Sequence, residues 1–277
     1  MAEIKELTQD EFSIIAAEHG FAPEMLVKDY YITALLYLLR NISGMYFKGG
    51  TALQKTILGH SRLSEDIDFT VTGDLKKMEN NIKETIGKEE FITRIGKDKS
   101  VDKFVRLVVY YNNFSGAEDA IFIDLNQRAK LLKKPEKHKI NHFYKGFIPE
   151  FSFNTLSSEE MVAEKIAAAI GRNMPRDHFD VYMILKNKIP FDMEMAKKKC
   201  ESSGNEFNVI RMFNKAKKLK NRWDEDLLPL LSEEIRFQEV IATLAKHFKL
   251  KEEKEKKKKD LIAVAVRNRM RKHVVLA

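Results

Sequence analysis

The segment Asp66-Ile-Asp-Phe-Thr-Val71 constrains this chain more than any other. Polar and apolar residues alternate along it, the pattern of a strand with one buried face. Asp66 and Asp68 therefore project from the same side, with Ile67 and Phe69 packed behind them. Two carboxylates held that close repel, and a divalent cation is the usual compensation. Mg²⁺ (or Mn²⁺) suits such a site, since it takes one or two carboxylates and fills its shell with water and phosphate oxygens. A third carboxylate, Asp124, lies in another β-rich run, Ile121-Phe-Ile-Asp-Leu125. If that strand lies beside the first, Asp66, Asp68 and Asp124 form a metal-binding triad. Ahead of the pair, Gly49-Gly50 frees the backbone to approach a phosphate, and a helix beginning near Thr51 offers it amide donors. Singly, a Gly-Gly pair is usually a turn and an Asp-x-Asp strand is often a solvated edge; the order of these elements is what points to chemistry.

The surrounding sequence predicts an α+β fold: a mixed β-sheet with flanking helices, then a helical second half. Thr8-Gln-Asp-Glu11 has the capping-box spacing, and Pro23 opens a longer helix to about Arg40. Met45 to Phe47, Phe91 to Ile95, Phe104 to Tyr111 and Ala120 to Leu125 read as strands, and Leu75 to Ile86 as a helix. A basic loop, Lys130 to Lys145, is followed by expected helices at Ser158–Gly171, Asp177–Leu185, Met193–Cys200, Phe207–Leu219 and Ser232–Phe248. The expected units are residues 1–150 (the α+β domain), 151–250 (a helical domain completing the site) and 251–277 (a basic tail).

In the second half, Glu164-Lys165 sits on a helix that is otherwise apolar or small, so Lys165 either snorkels to solvent or faces a pocket. Asp177 and Asp180, three apart in Arg176-Asp-His-Phe-Asp180, share a helix face near its N-terminus. The residues alone favour capping and ion pairing with Lys165, Arg172 or Arg176 over catalysis. The histidines show no metal-ligand spacing and are expected at the surface. The lone Cys200 excludes an internal disulfide and a thiolate zinc site.

Charge is concentrated. The chain carries 49 Lys and Arg against 41 Asp and Glu, a net +8. Lys246 to Lys272 holds 12 of these cations and 4 of the acids, so the tail carries the whole excess. A solvated helix end and an electrostatic grip on nucleic-acid phosphates explain it equally well. At 44% hydrophobic residues the chain has material for a core. Its longest apolar stretch, Ile32 to Leu39, is too short for a membrane helix. With no signal-peptide pattern at the start, the cytoplasm is the expected location and no membrane partner is expected.

The order Gly-Gly, helix, Asp-x-Asp and later carboxylate resembles the nucleotidyltransferase signature of the DNA-polymerase-β superfold. More narrowly, Gly49-Gly50-Thr51-Ala52-Leu53 followed by Arg62-x-Ser64-x-Asp66-Ile67-Asp68-Phe69 is similar to the AbiEii/AbiGii nucleotidyltransferase toxin family. Lys28-Asp29-Tyr30-Tyr31 also matches a run common there. The resemblance implies a Mg²⁺-dependent transfer of a nucleoside monophosphate from an NTP to an acceptor hydroxyl, with a tRNA as the expected acceptor. It implies the toxin of a toxin–antitoxin or phage-defence pair, countered by a separately encoded antitoxin. Catalysis would fall to Asp66, Asp68, Asp124, Lys165 and Asp180. The nucleotide would be held by Gly49, Gly50, Thr51, Arg62, Ser64, Lys165 and Asp177. The family's Glu-Lys helix maps onto Glu164-Lys165 and its Arg-Asp-x-x-Asp segment onto Arg176 to Asp180. Rival readings are a protein or small-molecule acceptor on the same fold, and a non-catalytic nucleotide- or RNA-binding module.

Overall fold

A computed structural model describes residues 4–5, 7–128 and 130–274, without the side chains of Leu261 and of residues 264–274. Among the described residues seven strands form one mixed sheet: β1 (Met45–Lys48), β2 (Asp66–Val71), β3 (Ile92–Val101), β4 (Phe104–Asn112), β5 (Glu118–Asn126), β6 (Glu136–Lys139) and β7 (Ser152–Thr155), in the order β3-β4-β5-β2-β1-β7-β6. The helices are α1 (Gln9–His19), α2 (Pro23–Leu39), α3 (Gly49–Leu53), α4 (Leu75–Ile86), α5 (Ser158–Gly171), α6 (Pro175–Lys186), α7 (Met193–Ser202), α8 (Ala216–Leu227), α9 (Phe237–His247) and α10 (Leu250–Val274).

Local chemistry explains the ends. Thr8 and Glu11 form the expected reciprocal capping box on α1, and Gly20 stops it in the left-handed conformation. Pro23 supplies the first turn of α2, and Ser157 caps α5 through the Glu160 amide. One sheet face is apolar. Phe47, Ile67, Phe69, Leu107, Ile121, Ile123 and Leu125 are completely buried there. Tyr31 of α2 packs against Tyr111 with ring centroids 4.2 Å apart, which places α2 on this side. The alternate side chains of the same strands form the opposite, polar face.

Four expectations change, the first being that the stretch after the basic loop opens with a strand, β7, paired to β1, before its helices begin. The basic loop contains β6, a wholly polar strand that pairs antiparallel with β7, Glu136 opposite Thr155 and Lys139 opposite Ser152. It has no apolar alternation because it is a sheet edge, so nothing in its pattern announces it. The helix expected at Phe207–Leu219 is a 3₁₀ turn at Val209–Phe213 followed by α8. Leu219, Trp223 and Leu227, spaced at i, i+4 and i+8, bury the inner stripe of α8. The last expected helix starts at Phe237 rather than Ser232, after a 3₁₀ turn that includes Pro229. The basic tail is helical through Val274, while the side chains of Arg267, Arg269, Arg271 and Lys272 lie outside the described residues. No helix among the described residues is long and apolar enough to cross a membrane.

Candidate active site

Register builds the site. β2 runs parallel to β5 with Asp68 directly beside Asp124, and antiparallel to β1 with Lys48 beside Asp68. β4 continues the row, with Arg106 opposite Asp124. Directly opposed residues share a face, so Lys48, Asp68, Asp124 and Arg106 form one line across four neighbouring strands. Asp66 joins them one pleat along β2.

The carboxylates are not equivalent. Asp124 receives Arg106 bidentately, Nε and Nη2 each at 2.7 Å. Asp66 and Asp68 take no side-chain hydrogen bond or ion pair among the described residues. Burial pushes Asp68 up to about 6; Lys48 opposes the rise, and Asp124 and Asp66 add to it. Asp66 is also raised, again by burial first, while Arg176 pulls it down. Because the folded state holds the Asp68 proton more tightly than the ordinary carboxylate value of 3.8, this group favours folding at low pH. Its contribution is lost as pH rises through the window from about 4 to about 6. Thermal unfolding without divalent metal should show that slope in wild type and lose it in Asp68→Asn; identical slopes would contradict the burial assigned to Asp68.

The Gly-Gly pair packs onto these residues. Gly49 has φ +79°, and a Cβ there would lie 2.1 Å from Asp68 Oδ2. A Cβ on Gly50 would lie 2.9 Å from Arg62 Nη2 and 3.3 Å from Ser64 Oγ. Both positions thus require glycine for close approach, and Gly49 for its backbone as well. Thr51 Oγ1 donates to the Asp66 carbonyl and ties α3 to the start of β2. α3 runs on into a π-turn, Gln54–Leu58, held from below by a buried Lys55–Asp29 ion pair at 2.7 Å. Asp29, from the Lys28–Tyr31 run, thereby braces the helix that carries the glycines. Gly49→Ala should destabilise by about 1–3 kcal/mol, from left-handed strain and the clash with Asp68. Urea unfolding measures this, and a loss below a few tenths of a kcal/mol would show that the turn tolerates a side chain.

The helical half supplies a second cluster. Lys165 of α5 lies 3.0 Å from Asp177 Oδ1 and 2.9 Å from Asp180 Oδ2, both on α6. Asp180, fully buried, also accepts Arg62 Nε and Nη2 at 2.7 Å and Gln54 Nε2 at 2.9 Å. Arg62 is therefore buried behind Gly50 with two of its nitrogens on Asp180, rather than free in a loop. Burial alone would raise Asp177, but Lys165 and Arg172 hold it down at about 2. Arg172 and Lys48 both exert their charge on Asp68, and Arg176 and Arg106 on Asp66. Four cations thus surround the two unpaired carboxylates.

Several residues here carry no motif. Lys48 binds Glu164 of α5 at 3.2 Å, and Glu164 also binds Lys199 of α7 at 2.9 Å. Lys199 in turn meets buried Glu160, whose carboxylate accepts the Leu132 and Lys133 amides at 3.1 Å and so anchors the basic loop. The one sequence signal for Lys48 is its place before Gly49. The histidines expected at the surface divide: His60, His142 and His178 are buried. His178 bridges the carbonyls of Met174 and Met212 inside the helical half. Burial lowers His60 to about 3 and His142 to about 4, keeping both neutral.

The donor set suits a hard divalent ion: two carboxylates on adjacent same-face positions with unengaged oxygens, and no soft ligand. Among the described residues no three acidic, histidine or cysteine side chains already converge on a metal-sized space. Asp124 is engaged with Arg106, so Asp66 and Asp68 are the pair that would hold the ion.

Comparisons with known proteins agree on the fold. JHP933 from Helicobacter pylori superposes with a TM-score of 0.55 at 20% identity, over 88% of this chain and 99% of that one. MenT4, a nucleotidyltransferase toxin from Mycobacterium tuberculosis, superposes with a TM-score of 0.56 at 20% identity, over 84% of this chain and 76% of that one. No curated protein matches the sequence. The family described as "Nucleotidyl transferase AbiEii toxin, Type IV TA system" matches residues 40–247, a span that begins just before β1 and ends with α9. The chain belongs to this AbiEii family of toxin nucleotidyltransferases, and is itself a nucleotidyltransferase.

Proposed function

We propose that the enzyme transfers a nucleoside monophosphate from an NTP to a tRNA hydroxyl, using Mg²⁺ or Mn²⁺ held by Asp66 and Asp68. The observation that carries this is the row Lys48–Asp68–Asp124–Arg106, with Asp66 beside it and Gly49 packed against Asp68. When bound, the cation neutralises phosphate charge and favours loss of pyrophosphate. Gly49, Gly50 and Thr51 bring backbone to the phosphates, with Ser64 beside Gly50. Lys165, aligned by Asp177 and Asp180, contributes positive charge to the nucleotide, and Arg62 acts by fixing Asp180 behind Gly50. The acceptor oxygen bonds to the α-phosphorus while the bond to the bridging oxygen breaks. Asp124, its carboxylate held in place by Arg106, takes the hydroxyl proton.

RNA is the acceptor favoured by charge. Lys134 in the basic loop and the exposed lysines of α10 offer cations to a polyanion. Membership of a type IV toxin–antitoxin family pairs the enzyme with an antitoxin; we place that pair in phage defence in the cytoplasm. The acceptor is tested with total tRNA, each α-³²P-labelled NTP and Mg²⁺, before and after periodate oxidation of the RNA. Label on native tRNA that vanishes with EDTA or periodate is expected, the latter because periodate destroys a terminal diol. Label on protein alone would remove RNA as acceptor.

A further inference from the structure

The face that carries Asp68 and Asp124 continues across β5, β4 and β3. Register and alternation put Phe122, Tyr110, Arg94, Arg106 and Lys99 on it. Phe122, two residues before Asp124, is 37% exposed, although Ile121 and Ile123 on either side of it are fully buried on the other face. A cation attends each aromatic. Arg106 lies 5.1 Å from the Phe122 centroid, Arg94 3.3 Å from that of Tyr110, and Arg128 5.9 Å from that of Phe104. Gly96, beside Tyr110 with its missing Cβ 3.8 Å from the ring, adds no side chain over it. Glu118 is tied to Arg94 and Asp124 to Arg106, while Asp98 stands at a bulge on the outer strand.

We propose that this open half of the sheet is the platform for the acceptor, a single-stranded nucleic-acid end. Its bases stack on Phe122 and on the Arg94–Tyr110 pair, and its phosphates meet Arg106 and Lys99. Three observations converge. An exposed phenylalanine on a strand whose other face is core offers stacking area; arginines alternate with the rings; and the platform is continuous with the catalytic row through Asp124, roughly 7 Å along β5 from Phe122. Flat guanidinium and aromatic surfaces accept unpaired bases of any sequence, whereas a duplex hides its base faces. The inference rests on RNA as the acceptor, and it names where that RNA lies.

The test is fluorescence anisotropy of the full chain with a labelled single-stranded oligoribonucleotide and with the corresponding blunt duplex. Wild type should bind the single strand more tightly than the duplex. Phe122→Ala should weaken single-strand binding roughly tenfold, as expected for one lost stack, and Phe122→Trp should restore it. Arg94→Ala, on an exposed side chain that pairs with Glu118 and not with the catalytic carboxylates, is the second probe and should also weaken binding. Asp66→Asn should still bind, because the readout needs no turnover. Wild-type affinity in both Phe122→Ala and Arg94→Ala, or a preference for duplex, would overturn the platform. So would a dimer in gel filtration that Phe122→Ala dissolves, since that would assign the face to a second copy. Transfer to tRNA by Phe122→Ala with unchanged KM would remove the platform and leave the transferase assignment standing. Phe122-dependent RNA binding without transfer to RNA would do the reverse.

Discussion

Asp180→Ala should lose about 3–5 kcal/mol of stability, a large share of the ~5–15 kcal/mol that holds a typical domain folded. The reason is what the carboxylate leaves behind. Arg62 Nε and Nη2, Lys165 Nζ and Gln54 Nε2 all point at Asp180, and Arg62 and Lys165 are themselves buried. Removing the carboxylate strands the Arg62 guanidinium and the Gln54 amide in a place water does not reach, and leaves Lys165 with Asp177 alone. Burial works against the ionised form of Asp180, yet Arg62 and Lys165 overcome it and hold its carboxyl below the usual carboxylate value. Asp177→Ala should cost less, because Lys165 keeps Asp180 and the Arg172 side chain is 64% exposed. Urea denaturation of the two variants measures the difference. Equal losses, or a loss under ~1 kcal/mol for Asp180→Ala, would contradict the network.

Asp68→Asn should move activity and stability in opposite directions. Transfer should fall by roughly 10³-fold or more, since the substitution removes charge where phosphate and metal charge must be balanced. The fold should survive, and near pH 7 it should become more stable in the absence of divalent metal. At that pH wild-type Asp68 is held ionised above its folded value of about 6, beside Asp66 and Asp124 in a half-buried setting. Asparagine keeps the shape and removes the repulsion, the trade expected where a site is built for chemistry rather than for stability. Melting temperature and single-turnover transfer, measured on one preparation, test both halves. A variant that is inactive and unfolded would place Asp68 in the scaffold instead.

Much of this site was legible because its parts are local. Alternation in Asp66–Val71 fixed a strand and put both aspartates on one face; the Gly-Gly pair marked a close approach; Asp124 stood out as a carboxylate inside an apolar run. A period of two reports which face a residue takes and nothing about which strand lies next to it. The parallel pairing that sets Asp68 beside Asp124 joins segments more than fifty residues apart, and the antiparallel pairing that gives Asp124 its Arg106 depends on the register of the β4–β5 hairpin, which alternation alone does not set. The Lys48–Glu164 contact spans 116 positions. β6 stayed hidden for another reason: an exposed edge has no buried face to write into the sequence. The buried histidines were misplaced because imidazole is polar in a sequence yet sits in a core once burial keeps it neutral, as for His60 and His142, or carbonyls receive it, as for His178.

The central claim is that the paired carboxylates on β2 run a metal-dependent nucleotide transfer. Its most direct test incubates wild type and Asp66→Ala side by side with total tRNA, Mg²⁺ and each α-³²P-labelled NTP. Label on RNA from wild type alone, with Asp66→Ala folded and inactive, is the predicted result. Equal labelling by the two proteins would contradict it, and would move the chemistry away from the Asp66–Asp68 strand.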